Sequence, residues 1–274
     1  MSDTMSAALE TQEAVPLRIC VADDSSTVRK FITMALNDID TDIEITEAAD
    51  GKEAVKLLIS QSFDIVFLDI NMPHINGVEV MGALHEKGSK TFAVAMSDSL
   101  SNQSAEMLKS FGAYDFLTKP FSKNQIRQVV ETFETINMPF DVLVVDDSTT
   151  VRRIVLKVLQ RSIFNLNVVE ASDGAGALAE IAKQPYRVIF TDFNMPNMTG
   201  VELAERLAEV ARGSDVILMS TEYSESLDTA ALKVGAKAFL RKPFYPDDVD
   251  SILHHLFGLR HSAFSKQVRV FAMT

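Results

Sequence analysis

Asp23-Asp24-Ser25 returns as Asp146-Asp147-Ser148, Asp69 as Asp192, Ser97 as Ser220 and Lys119-Pro120-Phe121 as Lys242-Pro243-Phe244, each time 123 residues later. Asp50-Gly51 and Asp173-Gly174, Gly77 and Gly200, and Gly112-Ala113 and Gly235-Ala236 keep the same offset. The chain therefore holds two copies of one unit, with no insertion between the shared landmarks. A period of this length is a whole domain, far beyond the roughly 20–50 residues of a solenoid repeat. The landmarks and apolar runs divide the chain into an expected disordered segment at 1–16, a first domain at 17–136 and a linker at 137–140. A second domain then occupies 141–259 and a tail 260–274. Pro139 in the linker argues against one helix running through it.

Inside each copy, short apolar runs alternate with stretches at helical spacing. In the first, strands are expected at Leu17–Ala22, Ile43–Ala48, Ile65–Asp69, Phe92–Ser97 and Tyr114–Thr118. Helices are expected at Thr27–Leu36, Lys52–Ile59, Val78–His85, Ala105–Phe111 and Asn124–Ile136. Ile65-Val66-Phe67-Leu68 is apolar on both faces, as befits a parallel strand covered by helices on either side. The pattern is (βα)5, twice: an α/β chain of two doubly wound domains. The second copy runs from Val142–Val145 to a last helix near Asp248–Phe257, and Val268–Phe271 alternates weakly like a strand in the tail.

The formal charge of −12 falls mostly on residues 1–139, at −10, against −2 on residues 140–274. Such a surface repels phosphate backbones, which argues against nucleic acid and for protein partners. The polar, acidic opening lacks a secretory signal, and no apolar run reaches the roughly 20 residues that span a bilayer. A cytoplasmic protein without membrane insertion is expected, its lone Cys20 a buried strand residue rather than half of a disulfide.

In an open parallel sheet, ligands bind beyond the carboxyl ends of the strands. The repeated polar residues belong there: Asp23 and Asp24 follow the first strand, Asp69 ends the third, Ser97 ends the fourth and Lys119 follows the fifth. Three clustered carboxylates raise one another's pKa unless a cation sits among them. Mg2+ suits the set, because it takes hard oxygen ligands and usually binds one or two carboxylates plus a phosphate. Asp69 could then attack phosphorus in line, with Lys119 and the Ser97 hydroxyl meeting the transferred oxygens. Asp146, Asp147, Asp192, Ser220 and Lys242 repeat the kit. Singly these residues say little, since an Asp-Asp pair often caps a helix and Lys-Pro-Phe often makes a turn. Five residue types in one order, twice, say much more. Ser25 or Ser26 also suits the cap of the helix that starts at Thr27.

The stretches Val21-Ala22-Asp23-Asp24-Ser25-Ser26-Thr27-Val28-Arg29, Phe67-Leu68-Asp69-Ile70-Asn71-Met72-Pro73 and Thr118-Lys119-Pro120-Phe121 resemble the CheY-like receiver domains of bacterial two-component response regulators. So do Val145-Asp146-Asp147-Ser148-Thr149-Thr150-Val151-Arg152-Arg153 and Asp192-Phe193-Asn194-Met195-Pro196. The resemblance covers Leu17 to about Leu259. It implies a flavodoxin-like fold with strand order 2-1-3-4-5 and phosphoryl transfer from a sensor histidine kinase to Asp69 and Asp192. It also implies a Mg2+ shell completed by the carbonyls of Asn71 and Asn194, and switch aromatics at Phe116 and Phe239. That switch position is often Tyr, so a phenolic hydrogen bond is missing here. Two residues beyond the conserved hydroxyl stand Ser99 and Glu222, a position that influences hydrolysis of the acyl phosphate in the family.

With no DNA-binding, cyclase or phosphodiesterase segment in view, the expectation is a stand-alone tandem regulator that is no separate enzyme and acts on a downstream protein target. One alternative is a phosphate sink for a shared kinase. Another is an aspartate-nucleophile phosphatase of similar fold, disfavoured because Asn71 and Asn194 stand where such enzymes carry a second Asp. Gly82 and Gly88 are one residue too far apart for a phosphate-binding loop. His74, His85, His254, His255 and His261 show no repeated pairing and are expected on the surface or in loops.

Overall fold

The computed structural model describes residues 15–222, 225–259, 262 and 264, with the side chains of 225–228 left out. Most of the expected N-terminal segment, the possible strand at Val268–Phe271 and His261 lie outside the described residues. The first five strands are β1 (Leu17–Ala22), β2 (Ile43–Ala48), β3 (Ile65–Asp69), β4 (Phe92–Ser97) and β5 (Asp115–Thr118). The helices that follow them are α1 (Ser26–Asn37), α2 (Gly51–Ser60), α3 (Gly77–Lys87), α4 (Asn102–Ser110) and α5 (Lys123–Asn137). The second series is β6 (Phe140–Val145), α6 (Thr149–Leu159), β7 (Leu166–Ala171), α7 (Gly174–Ile181) and β8 (Val188–Asp192). It continues with α8 (Gly200–Val210), β9 (Asp215–Ser220), α9 (Glu225–Lys233), β10 (Ala238–Arg241) and α10 (Pro246–Leu256).

Each series builds one five-stranded parallel sheet, ordered β2-β1-β3-β4-β5 and β7-β6-β8-β9-β10. These are two flavodoxin-like (βα)5 domains. The chain divides into compact units between Arg127 and Gln128, within α5, and that helix ends at Asn137, ahead of Pro139. Every residue of β3 is buried, as its two-faced apolarity requires. Cys20 lies fully buried in β1, where the apolar surroundings push its thiol up to about 12.

Side-chain caps set where the helices begin. The Ser25 hydroxyl accepts from the Val28 N–H, Asp50 accepts from Glu53 and Asn76 forms a reciprocal capping box with Glu79. Ser148, Asp173 and Thr199 repeat these roles in the second domain. Each cap satisfies backbone donors that would otherwise be orphaned at a helix start.

His254 departs from the expected surface placement. It is buried on α10, its Nδ1 2.6 Å from the Asp250 carbonyl and its ring 5.2 Å from Phe164. The i, i+4 spacing along α10 turns it into an aromatic cluster with Phe140, Phe164 and Phe257. His74, with φ 68° in a loop, and His85 and His255 on helices are exposed, as expected.

Asp250 joins α10 to the turn that follows α6, accepting from the Ser162 hydroxyl at 2.5 Å and the Ile163 N–H at 3.3 Å. Burial pushes its carboxyl up to about 6, against the two donors, with Asp247 adding to the rise. The fold thus binds this proton more readily than the unfolded chain does. Its stabilising contribution is complete below the ordinary value of 3.8 and is lost as pH rises through about 6. Asp250→Asn, which keeps an accepting oxygen without the charge, is expected to raise the second domain's unfolding midpoint near neutral pH. The gain should shrink to nothing in acid, as urea titrations across that range would show.

Candidate functional site

Parallel pairing of β1, β3, β4 and β5 brings their carboxyl ends to one rim. Asp69 closes β3 and is 2% exposed, Asp23 is fully buried just beyond β1, and Ser97 closes β4. Lys119 follows β5, its Nζ 2.7 Å from Asp23 Oδ2 and 3.0 Å from Asp69 Oδ1. Asp69 Oδ1 is buried and has no aligned hydrogen-bond donor, the Lys119 ammonium facing it only as an ion-pair partner. The ligand oxygens of Asp23, Asp24 and Asp69 lie within 4.8 Å of one another. Ser97 Oγ accepts from Asn71 Nδ2 at 2.9 Å.

The electrostatics of this group tilt one way. Burial raises the pKa of Asp69 and the neighbouring Asp23 charge adds to it, more than Lys119 and the Asn71 N–H take back. Burial works against the Lys119 ammonium, yet the two carboxylates prevail and raise its pKa. The Asp69 shift comes first from burial and then from the Asp23 charge, and the Lys119 shift from its two carboxylate partners outweighing burial. A hard divalent cation fits that donor set, and the under-satisfied Asp69 oxygen is where a further ligand bond would fall.

The second domain brings together the same residues with a different bias. Lys242 Nζ hydrogen-bonds both Asp146 Oδ2 at 2.5 Å and Asp192 Oδ1 at 2.6 Å. Asp192 Oδ2 also accepts from the Asn194 N–H at 3.1 Å, and burial again raises this carboxyl's pKa, with Asp146 adding to it against Lys242. Ser220 Oγ is buried and accepts from the Glu222 N–H at 3.1 Å. Among the described residues, only the first domain's three carboxylates gather within that 4.8 Å. Asp147 and Asn194 are exposed at this rim, as are Asp24 and Asn71 at the first. Phe116 and Phe239 are buried one pleat from the lysine loops, Phe239 against Leu218, Ala231 and Ala236.

Two groups beside the acid loops escaped notice in the sequence. Arg29 Nη1 donates to the Asp23 carbonyl at 2.8 Å while its Nε holds Glu47 Oε2 at 2.8 Å, and Arg152 does the same with the Asp146 carbonyl and Glu170. Their signal was available, for Arg29 and Glu47 recur at the 123-residue offset.

The rim also depends on glycine. A Cβ on Gly77 would sit 2.3 Å from the Asp69 carbonyl oxygen, and one on Gly200 2.2 Å from that of Asp192. The absence of a side chain lets α3 and α8 start against the ends of β3 and β8, with the Gly77 N–H 3.0 Å from the Ile70 carbonyl. Gly77→Ala is expected to cost about 1–3 kcal/mol through overpacking. Gly82→Ala in the same helix, where a Cβ finds only ordinary contact with Phe111 at 3.6 Å, is expected to gain about 0.5–1 kcal/mol. Urea unfolding of the two variants should therefore move in opposite directions.

The profile of the response regulator receiver domain matches residues 19–131 and 142–254. The chain belongs to that family, as a CheY-like tandem receiver of two-component signalling. A chemotaxis protein CheY homolog of Campylobacter jejuni is 35% identical over 119 residues, covering 42% of this chain and 91% of the relative. Chemotaxis protein CheY1 of Helicobacter pylori is 34% identical over 119 residues, covering 42% of this chain and 95% of its own length. A crystal structure of a two-component system response regulator/GGDEF domain protein aligns over 88% of this chain and 99% of its own. It does so at a TM-score of 0.58 and 27% identity.

Proposed function

We propose that Asp69 and Asp192 are phosphoryl acceptors and that each domain performs its own transfer. The observation that carries this reading is the lysine ammonium held against a strand-ending aspartate in both domains, 3.0 Å from the buried Asp69 and 2.6 Å from the partly buried Asp192. In the transfer, a carboxylate oxygen forms the new bond to phosphorus as the bond from phosphorus to the donor nitrogen breaks, and that nitrogen keeps the electron pair. Lys119 or Lys242 moves from its carboxylate partners to a phosphoryl oxygen, and the Ser97 or Ser220 hydroxyl donates to another. Asp23, Asp24 and the Asn71 carbonyl would hold Mg2+ with Asp69, as Asp146, Asp147 and the Asn194 carbonyl would with Asp192. Bound there, the ion supplies charge neutralisation for the transferring oxygens.

The donor on this reading is the phosphohistidine of a sensor kinase, and the compartment is the cytoplasm. Among the described residues no helix is long and apolar enough to cross a membrane. The output is contact with a downstream protein, consistent with a net charge of −12 that disfavours nucleic acid. The chemistry is confined to the receivers' own aspartates, without a separate enzymatic activity. Phe116 and Phe239, buried beside the lysine loops, are the rings whose rotation would report the new bond.

Incubation with a small acyl-phosphate donor and Mg2+, followed by intact mass, should show up to two added phosphoryl groups. Asp69→Asn and Asp192→Asn should each show one and the double variant none, with EDTA abolishing uptake throughout. A double variant modified to the parent's extent would overturn the assignment.

The two marks should also decay at different rates. Glu222 is exposed beside Ser220 and long enough to orient a water at the acyl phosphate, whereas Ser99 is not. Well-aligned general-base positioning contributes on the order of tenfold or more. The Asp192 mark is expected to be the shorter-lived, with Ser99→Glu and Glu222→Ser exchanging the behaviour. Equal decay constants that the exchanges leave unmoved would refute it.

A further inference from the structure

We propose that Arg29 and Arg152 are positioning residues, each bracing an acid loop in the shape that accepts a divalent cation. The proposal rests on the reading of those loops as cation-binding. Asp23 and Asp24 lie in the short turn between β1 and α1, where β1 has ended and α1 has not begun. The turn is partly held from within, by the Ser25 N–H on Asp23 Oδ1 at 2.9 Å. The Asp23 N–H donates to the Ala48 carbonyl at 3.2 Å, which pins the peptide before Asp23 but not the carbonyls of Asp23 and Asp24.

Arg29 supplies that restraint from the first turn of α1. Its Nη1 donates to the Asp23 carbonyl at 2.8 Å and lies 3.4 Å from the Asp24 carbonyl. The other end of the same guanidinium is anchored on β2, where Nε meets Glu47 Oε2 at 2.8 Å and Thr33 Oγ1 donates to Glu47 Oε1 at 3.3 Å. A planar fork gripped at one end transmits orientation to whatever its other end holds. The Arg29 side chain is 14% exposed, so the grip is largely shielded from water.

The second domain repeats the device independently. Arg152 Nη1 donates to the Asp146 carbonyl at 2.7 Å, Nε meets Glu170 Oε2 at 3.1 Å and Nη2 donates to Thr149 Oγ1 at 3.3 Å. Its side chain is 13% exposed. Each pair joins a mostly buried guanidinium to a 41% exposed glutamate, so solvent screens part of its Coulomb energy. The bond from each guanidinium to an acid-loop carbonyl is what assigns it to orientation of that loop, much as outer hydrogen-bond partners orient metal ligands.

The brace and simple electrostatics predict opposite signs. Removing a positive charge beside an acidic cluster should, through Coulomb's law alone, tighten cation binding. Loss of the brace should weaken it, by about tenfold or more. The test uses the full chain carrying Asp146→Asn and Asp147→Asn, so that a magnesium titration followed by amide NMR shifts reads the first domain. Arg29→Met, which keeps the apolar stem, is expected to weaken the magnesium dissociation constant by that factor. Arg29→Lys, charged but without the fork, should also weaken it, and serves if the Met variant does not fold. Lys30→Met, removing the adjacent exposed cation, should leave binding unchanged or slightly tighter. Magnesium bound by Arg29→Met as tightly as by the parent, or more tightly, would overturn the brace. Asp23→Asn should lose the ion, and parent-like binding by that variant would instead overturn the cation-site reading on which the brace rests.

Discussion

A carboxylate buried at the end of a parallel strand is costly unless a cation faces it, and the structure around each rim is organised to bring one there. Lys119 reaches Asp69 only because β4 pairs with both β3 and β5, so that the loop after β5 opens onto the carboxyl end of β3. The same ammonium also meets Asp23 from β1, tying three strands and two loops to a single charge. The sheet order fixes who meets whom, and the glycine at the start of α3 lets the helix begin against that strand end. Placing the polar residues on strand ends rather than mid-helix means the fold and the site are specified by the same register.

The two rims are built alike but balanced differently. Around Asp69 three carboxylates crowd together and one buried oxygen has no aligned hydrogen-bond donor. Around Asp192 the ammonium bonds two carboxylates at once and the Asn194 N–H satisfies another oxygen. At both rims one ammonium is already paired with two carboxylates, at 2.7 and 3.0 Å in the first and at 2.5 and 2.6 Å in the second. Two copies of one motif thus keep every member while setting them at different separations.

Much of this was legible in the residues. The 123-residue offset exposed the duplication, and the apolar runs located β1 through β4 with the observed bounds. Tyr114 was read into β5 but stands one residue outside it, because alternation cannot tell a strand's first paired residue from its neighbour. Helix starts came out late by one residue at α1, α2 and α3, since the caps Ser25, Asp50 and Asn76 act one residue before the first helical turn. His254 was misjudged because one polar residue among aromatics looks the same on either face until the helix is docked. Arg29 and Glu47 recur at the same offset, but their role shows only in three dimensions, where Glu47 grips the guanidinium and Arg29 reaches a backbone carbonyl that carries no residue identity. The bias of the second rim depends on side-chain conformation and left no trace in the sequence.

The central claim, that a phosphoryl group is carried on Asp69 and Asp192, is tested most directly by chemical trapping. Borohydride reduces an aspartyl phosphate to homoserine, and peptide mass spectrometry of phosphorylated protein then places the reduced residue. The account predicts homoserine in place of Asp69 and Asp192 and at no other aspartate. Homoserine in place of Asp23, Asp24, Asp146 or Asp147, or phosphate that resists borohydride and maps to a histidine or serine, would contradict it.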